Sequence, residues 1–184
     1  MTDPSKPRGA APTIPHARRQ LTLFVPATAA ATLEALRLRL DPIQATLIAA
    51  HVTLCREDEL VDRDVEAMLE RVRAWDAGPL RLAFGAATRF SAHGVLLPCE
   101  HGSDEFQRLR RWILDDPRAR PHGAHITLAH PRNPRAPTNV DTELGALPAT
   151  LRLEFPTVTR IEQVAGAPWT SLREAWLGAA HGRA

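Results

Sequence analysis

The chain has 184 residues, 44% of them hydrophobic and 24% charged, with a formal net charge of +2 and only two cysteines. That is enough apolar material for one compact domain or two intimately packed lobes with a real core. Cys55 and Cys99 are too few and too scattered for a disulfide framework or a thiolate metal site. No apolar run is long enough for a transmembrane helix, and the first residues lack the hydrophobic stretch of a secretory signal. A soluble cytoplasmic protein is therefore expected.

Residues 1–17 hold Pro4, Pro7, Pro12 and Pro15 among small and polar residues and read as a disordered tail. A strand follows over Arg19 to Val25. Thr28 to Leu40 is helical by spacing, with Leu33, Leu36 and Leu40 on one stripe, and Asp41-Pro42 stops it. A connector leads from there to Ala50. The next helix, Asp62 to Trp75, buries Val65, Met68, Leu69 and Val72 and ends at Gly78-Pro79. Leu80 to Ala87 and His93 to Pro98 read as two strands joined by a turn near Ser91-Ala92. Asp104 to Leu114 is a third helix, with Phe106, Leu109, Trp112 and Ile113 spaced for packing. A Pro- and Asn-rich loop, Pro131 to Thr138, precedes a short helical segment around Val140 to Leu147. Leu151 to Val164 and Trp169 to Trp176 complete the sheet.

Within this layout one tetrapeptide pattern occurs twice: His51-Val52-Thr53-Leu54 and His125-Ile126-Thr127-Leu128. Each alternates polar and apolar residues at the period of a strand, so His and Thr share one face while the aliphatic residues point into a core. At average residue usage, two independent copies are expected with odds on the order of 10⁻⁴. Strand packing makes no demand for His and Thr at identical offsets twice. Displacement at a phosphodiester does, because it needs a base for the attacking oxygen and an acid for the leaving oxygen on the opposite side of phosphorus. Histidine keeps both protonation states accessible near neutrality. A threonine hydroxyl beside each imidazole is a donor for the non-bridging phosphate oxygens.

These two motifs resemble those of the 2H phosphoesterase superfamily, in particular its 2′-5′ RNA ligase and RNA 2′,3′-cyclic phosphodiesterase branch. Arg19-Gln20-Leu21-Thr22-Leu23-Phe24-Val25-Pro26 resembles the family's opening strand, and Ala124 to Pro131 resembles its second motif and exit. The resemblance covers roughly Arg19 to the C-terminus and implies a single bilobal domain over residues 18–184. The implied fold class is α+β: two pseudo-symmetric lobes, each a small mostly antiparallel sheet with outer helices, flanking a central cleft. A strand–helix–motif strand–helix–strand series before Gly94 and a degenerate copy after it agree with this.

The implied activity is metal-independent opening of a nucleoside or RNA 2′,3′-cyclic phosphate to a 2′-phosphate. In it His125 activates water and His51 protonates the leaving ribose oxygen, though a symmetric pair can serve either way round, and Thr53 and Thr127 bind phosphate. The reverse reaction, 2′-5′ ligation, or another 2′-5′ or cyclic phosphodiester activity would use the same four residues. A non-catalytic binder of phosphorylated RNA ends or nucleotides is the more distant alternative. No cofactor and no obligate protein partner are implied.

Several relatives carry Arg after the second motif where this chain has His130, and Arg56 stands at the matching offset after the first. By strand parity both lean away from the catalytic face. Arg132 and Arg135 could clamp an RNA backbone or a terminal phosphate. Phe90 and Trp169 are candidates for stacking on a nucleobase and equally for the core. Cys55 shares the parity of His51 and Thr53 and could line the cleft floor, but reads first as a small apolar strand residue. His122, His125 and His130 cluster in sequence but lack a matched carboxylate or Cys at a zinc spacing, so no metal is expected. His93 and His101 read as solvated, although His93 could approach the cleft, and His16 and His181 fall in the terminal segments.

Overall fold

A computed structural model describes residues 17–91, 94–133, 139, 147 and 149–178. Residues 1–16 of the expected tail, His16 among them, the turn at Ala92, His93, Arg135, most of the helical segment over 140–147 and His181 lie outside these residues, while Ala17, the last residue of that tail, opens the first strand. The first strand, β1 (Ala17–Phe24), buries Leu21 and Leu23 completely. α1 (Ala27–Leu40) turns Leu33, Leu36 and Leu40 inward as its spacing predicts. Asp41 ends α1 and caps α2 (Pro42–Leu47), accepting the Gln44 N–H at 3.1 Å, with Pro42 where a missing N–H costs nothing. This helix replaces the expected connector. It buries no residue, so it leaves no apolar stripe in the sequence.

The first motif strand is β2 (His51–Cys55). A single 3-10 turn, Glu57–Glu59, leads toward α3 (Val65–Arg73), which begins later than expected because Asp64 caps it, accepting the N–H groups of Glu66 and Ala67. The expected strand over 80–87 ends early as β3 (Leu80–Phe84), and a short strand that was not expected, β4 (Thr88–Phe90), follows it. β5 (Gly94–His101), α4 (Ser103–Leu114) and the second motif strand β6 (His125–Ala129) follow. On α4, Phe106, Leu109 and Ile113 are buried, but Trp112 is 45% exposed and Arg110 is fully buried in its place. Arg110 can enter because carbonyls and Glu59 meet its guanidinium.

The expected strand over 151–164 also breaks, at Pro156, into β7 (Leu151–Phe155) and β8 (Thr157–Val164), and β9 (Thr170–Trp176) ends the described chain. Proline donates nothing to a ladder, and here the strands on its two sides join different sheets.

Both sheets are antiparallel. One runs in the order β2-β1-β8-β9; the other runs β4-β5-β3-β7 with β6 paired to β5. The lobes are therefore not the two halves of the chain divided near Gly94. The first sheet takes strands from both ends, and the second takes the middle. The internal repeat is tighter than that division and sits in strand–helix–motif strand. β1 pairs with β2 so that Thr22, Leu23 and Phe24 face Thr53, Val52 and His51. β5 pairs with β6 so that Leu96, Leu97 and Pro98 face Thr127, Ile126 and His125. The Val25 N–H donates to the Ala50 carbonyl, and the Cys99 N–H donates to that of Ala124, each pair 74 residues from its counterpart. β2 also contacts β6 directly, α1 contacts β6 and α4 contacts β2, so one continuous core joins the lobes. Among the described residues no helix is long and apolar enough to cross a membrane.

Candidate active site

Alternation along β2 and β6 produces the same burial pattern twice: Val52, Leu54, Ile126 and Leu128 are buried, while His51, Thr53, His125 and Thr127 stay partly open. The two histidines are held identically. His51 Nδ1 lies 2.8 Å from the Ala49 carbonyl, and His125 Nδ1 lies 2.8 Å from the Gly123 carbonyl. A carbonyl oxygen only accepts, so Nδ1 carries the proton in both neutral rings and Nε2 keeps its lone pair. An edge-on ring flanks each imidazole, Phe24 at 6.3 Å for His51 and His122 at 5.8 Å for His125.

A cleft of about 260 Å³ is lined by His51, Thr53 and Thr127. His125 sits on the same face of β6 as Thr127 but is outside the lining of this cleft. Burial lowers the His51 pKa from 6.5 to about 4, with the Ala49 hydrogen bond opposing and the Arg37 and His125 charges adding to the fall. His122 is likewise pulled down to about 4, by burial first and then by the Arg110 and His125 charges.

His130 also lines the cleft, although strand parity turns it away. β6 ends at Ala129, and the turn that follows redirects the chain. The His130 N–H donates to Asp41 Oδ2 at 2.8 Å, and His130 Nδ1 accepts the Arg132 N–H at 3.2 Å. Burial lowers the His130 pKa. Arg132 and Trp169 line the same cleft. Arg18 stacks over the Trp169 ring at 5.3 Å and pairs with Glu57 at 2.6 Å. Arg56 and Phe90 are outside this lining. Arg56 pairs with Asp58 at 3.3 Å. The Phe90 ring covers the Gly94 backbone so closely that a Cβ there would lie 2.4 Å from it. Cys55 is not in the cleft floor: it is fully buried, and burial pushes its thiol up to about 12. Among the described residues no group of three or more His, Cys, Asp or Glu could hold a metal ion.

Arg18, Gln20, Arg37 and Gln44 join the lining without any sequence signal to mark them. Arg37 is the least expected, a 3%-exposed arginine on the inner face of α1. It pairs with Glu34 at 2.7 Å and donates to the Ile48 carbonyl at 2.8 Å. Only its spacing from Glu34, one helical turn, could have drawn attention to it.

Two antiparallel sheets meeting over a His/Thr-lined cleft define the fold class, and solved structures share it. E. coli LigT in its apo form superposes with a TM-score of 0.58 at 18% identity, over 88% of this chain and 98% of that one. LigT complexed with phosphate gives 0.57 at 17% identity, over 90% and 99%. TT0787 of Thermus thermophilus gives 0.55 at 17%, over 89% and 100%. At these identities the likeness is one of fold. No protein-family model and no curated protein sequence matches the chain.

Proposed function

We propose that this protein is a phosphodiesterase that opens a nucleoside or RNA 2′,3′-cyclic phosphate to a 2′-phosphate, with His51 and His125 as its acid–base pair. The supporting observation is the twin imidazole geometry: each Nδ1 is tied to a carbonyl, each Nε2 is free to exchange a proton, and a threonine from each motif strand lines the cleft. The fold likeness to LigT, whose structures include complexes with phosphate, ATP and 3′-AMP, favours a nucleotide-bearing substrate.

In this reading His125 Nε2 takes a proton from water as its oxygen bonds to phosphorus. The P–O3′ bond breaks, and O3′ receives the proton carried by His51 Nε2. Thr53 and Thr127 donate to the non-bridging oxygens, whose charge is redistributed in the transition state. Burial keeps His51 neutral in the empty cleft, so His51 becomes the acid as an anionic phosphate binds beside it and raises its proton affinity. The products are a 2′-phosphate, a free 3′-hydroxyl, a protonated His125 and a neutral His51, which exchange with solvent restores. With an RNA 5′-hydroxyl in place of water as the nucleophile, the same groups would join RNA ends through a 2′-5′ linkage.

The test is product analysis with 2′,3′-cyclic nucleotides and a short RNA ending in a 2′,3′-cyclic phosphate, in the presence of EDTA. A 2′-phosphate that disappears in His51→Ala and His125→Ala is the expected result. Substrate binding without turnover would assign the site to a binder. Full activity in either variant would remove that histidine from the mechanism.

A further inference from the structure

The segments that lead into the two histidines are each held by a helix, α1 for the first and α4 for the second. On α1, Glu34 accepts the Ala50 N–H, and Arg37, one turn on, binds Glu34 and the Ile48 carbonyl. On α4, Gln107 both donates to the His122 carbonyl and accepts the His122 N–H. Arg110, one turn on, binds Gln107 at 3.0 Å and the Arg120 carbonyl at 2.9 Å. Glu34 and Gln107 stand 73 residues apart, as do Arg37 and Arg110, one fewer than the 74 between His51 and His125. On the first side the bonds bracket the carbonyl that meets the imidazole, since Ile48 and Ala50 flank Ala49; on the second they hold Arg120 and His122, both before Gly123.

We propose that Glu34 and Gln107 are matched positioning residues that fix the Ala49 and Gly123 carbonyls against Nδ1 of His51 and His125, and so set which ring nitrogen of each faces the cleft. Neither touches the reacting atoms. Without the grip, the segment before the strand moves, its carbonyl leaves Nδ1, and the ring can place its proton on Nε2, where it no longer serves as a base. The grips also differ in charge. Glu34 brings the carboxylate that answers Arg37, whereas neutral Gln107 leaves the Arg110 charge to Glu59, from the segment after β2. Arg110 also donates to the Leu54 carbonyl at 2.8 Å. The second grip is therefore also a strut between the lobes.

The experiment is a long-range ¹⁵N–¹H correlation spectrum of the imidazoles at pH 7.5, which reads each tautomer without any substrate. In the unaltered protein both rings are expected with the proton on Nδ1. Glu34→Ala should shift His51 toward a mixture while His125 stays as it was, and Gln107→Ala should do the converse. Glu34→Gln keeps an acceptor for the Ala50 N–H and should preserve the His51 tautomer. Both rings unchanged in both alanine variants would overturn the proposal. So would both rings changing together in each variant, because that is general loosening and not a local grip.

The kinetic consequence rests on the proposed two-histidine reaction: a fall in kcat on the order of 10²-fold with KM little changed. A tautomer shift without that fall would leave the grip standing and refute the catalytic reading.

Discussion

His51 should make the folded protein acid-sensitive in a way that one substitution removes. Its pKa is about 4 in the fold against 6.5 when solvated. The unfolded chain therefore binds a proton more tightly than the folded one, and stability falls as pH drops through 6.5 toward 4. At pH 7 the two states differ little. From these two values, folding loses about 2 kcal/mol at pH 5 and about 3 kcal/mol at pH 4 through this residue alone. Burial is the main cause, and the Arg37 and His125 charges add to it. Urea unfolding of the protein and of His51→Gln at pH 7, 5.5 and 4 measures the difference directly, since contributions common to both cancel. The difference should grow by about 3 kcal/mol over that range. Saturation with inorganic phosphate should raise the His51 midpoint in an NMR titration, because an anion beside the ring favours its charged form. A His51 midpoint near 6.5 in the empty cleft, with equal pH dependence in the variant, would refute the desolvation argument and the binding-coupled protonation built on it.

Three further outcomes follow from the same geometry. Thr53→Val and Thr127→Val each remove a hydroxyl donor, and each should lower kcat on the order of 10²-fold while leaving the melting temperature near its original value; an unchanged kcat would place the transferring phosphate elsewhere. Arg110→Met removes a fully buried guanidinium and leaves Glu59 without its ion-pair partner, costing about 3–5 kcal/mol and lowering Tm by roughly 6–20 °C in a scanning calorimeter. Asp41→Ala loses both the α2 cap and the acceptor for the His130 N–H, a cost of about 3 kcal/mol in urea unfolding, whereas Asp41→Asn should cost less.

The motif strands were legible in the sequence because a strand's period of two is a local rule. Burial of Val52, Leu54, Ile126 and Leu128, with His and Thr on the opposite face, follows from alternation alone. The leucine stripe of α1 and the aliphatic stripe of α3 were legible for the corresponding reason at period 3.6. Cys55 obeys the same count and still lies in the core, where the register of β1 against β2 shifts between Leu21 and Thr22, opposite Cys55. Parity held only as long as the ladder was regular.

What the sequence by itself determined is a pair of His/Thr strand faces on an α+β chain, and with them the chemistry those residues suit. Tertiary structure decided what surrounds them. It assigned β7 and β8 to different sheets across Pro156, and drew the first sheet from both ends of the chain. It turned His130 into the cleft through a backbone bond to Asp41, 89 residues away. It buried Arg110 while leaving Trp112 on the surface, an inversion of hydropathy that holds because Leu54, Arg120 and Glu59 supply partners from distant segments. Side-chain periodicity is written residue by residue. The partners that make a buried charge tolerable, or bend a strand end toward a site, exist only once remote parts of the chain have met.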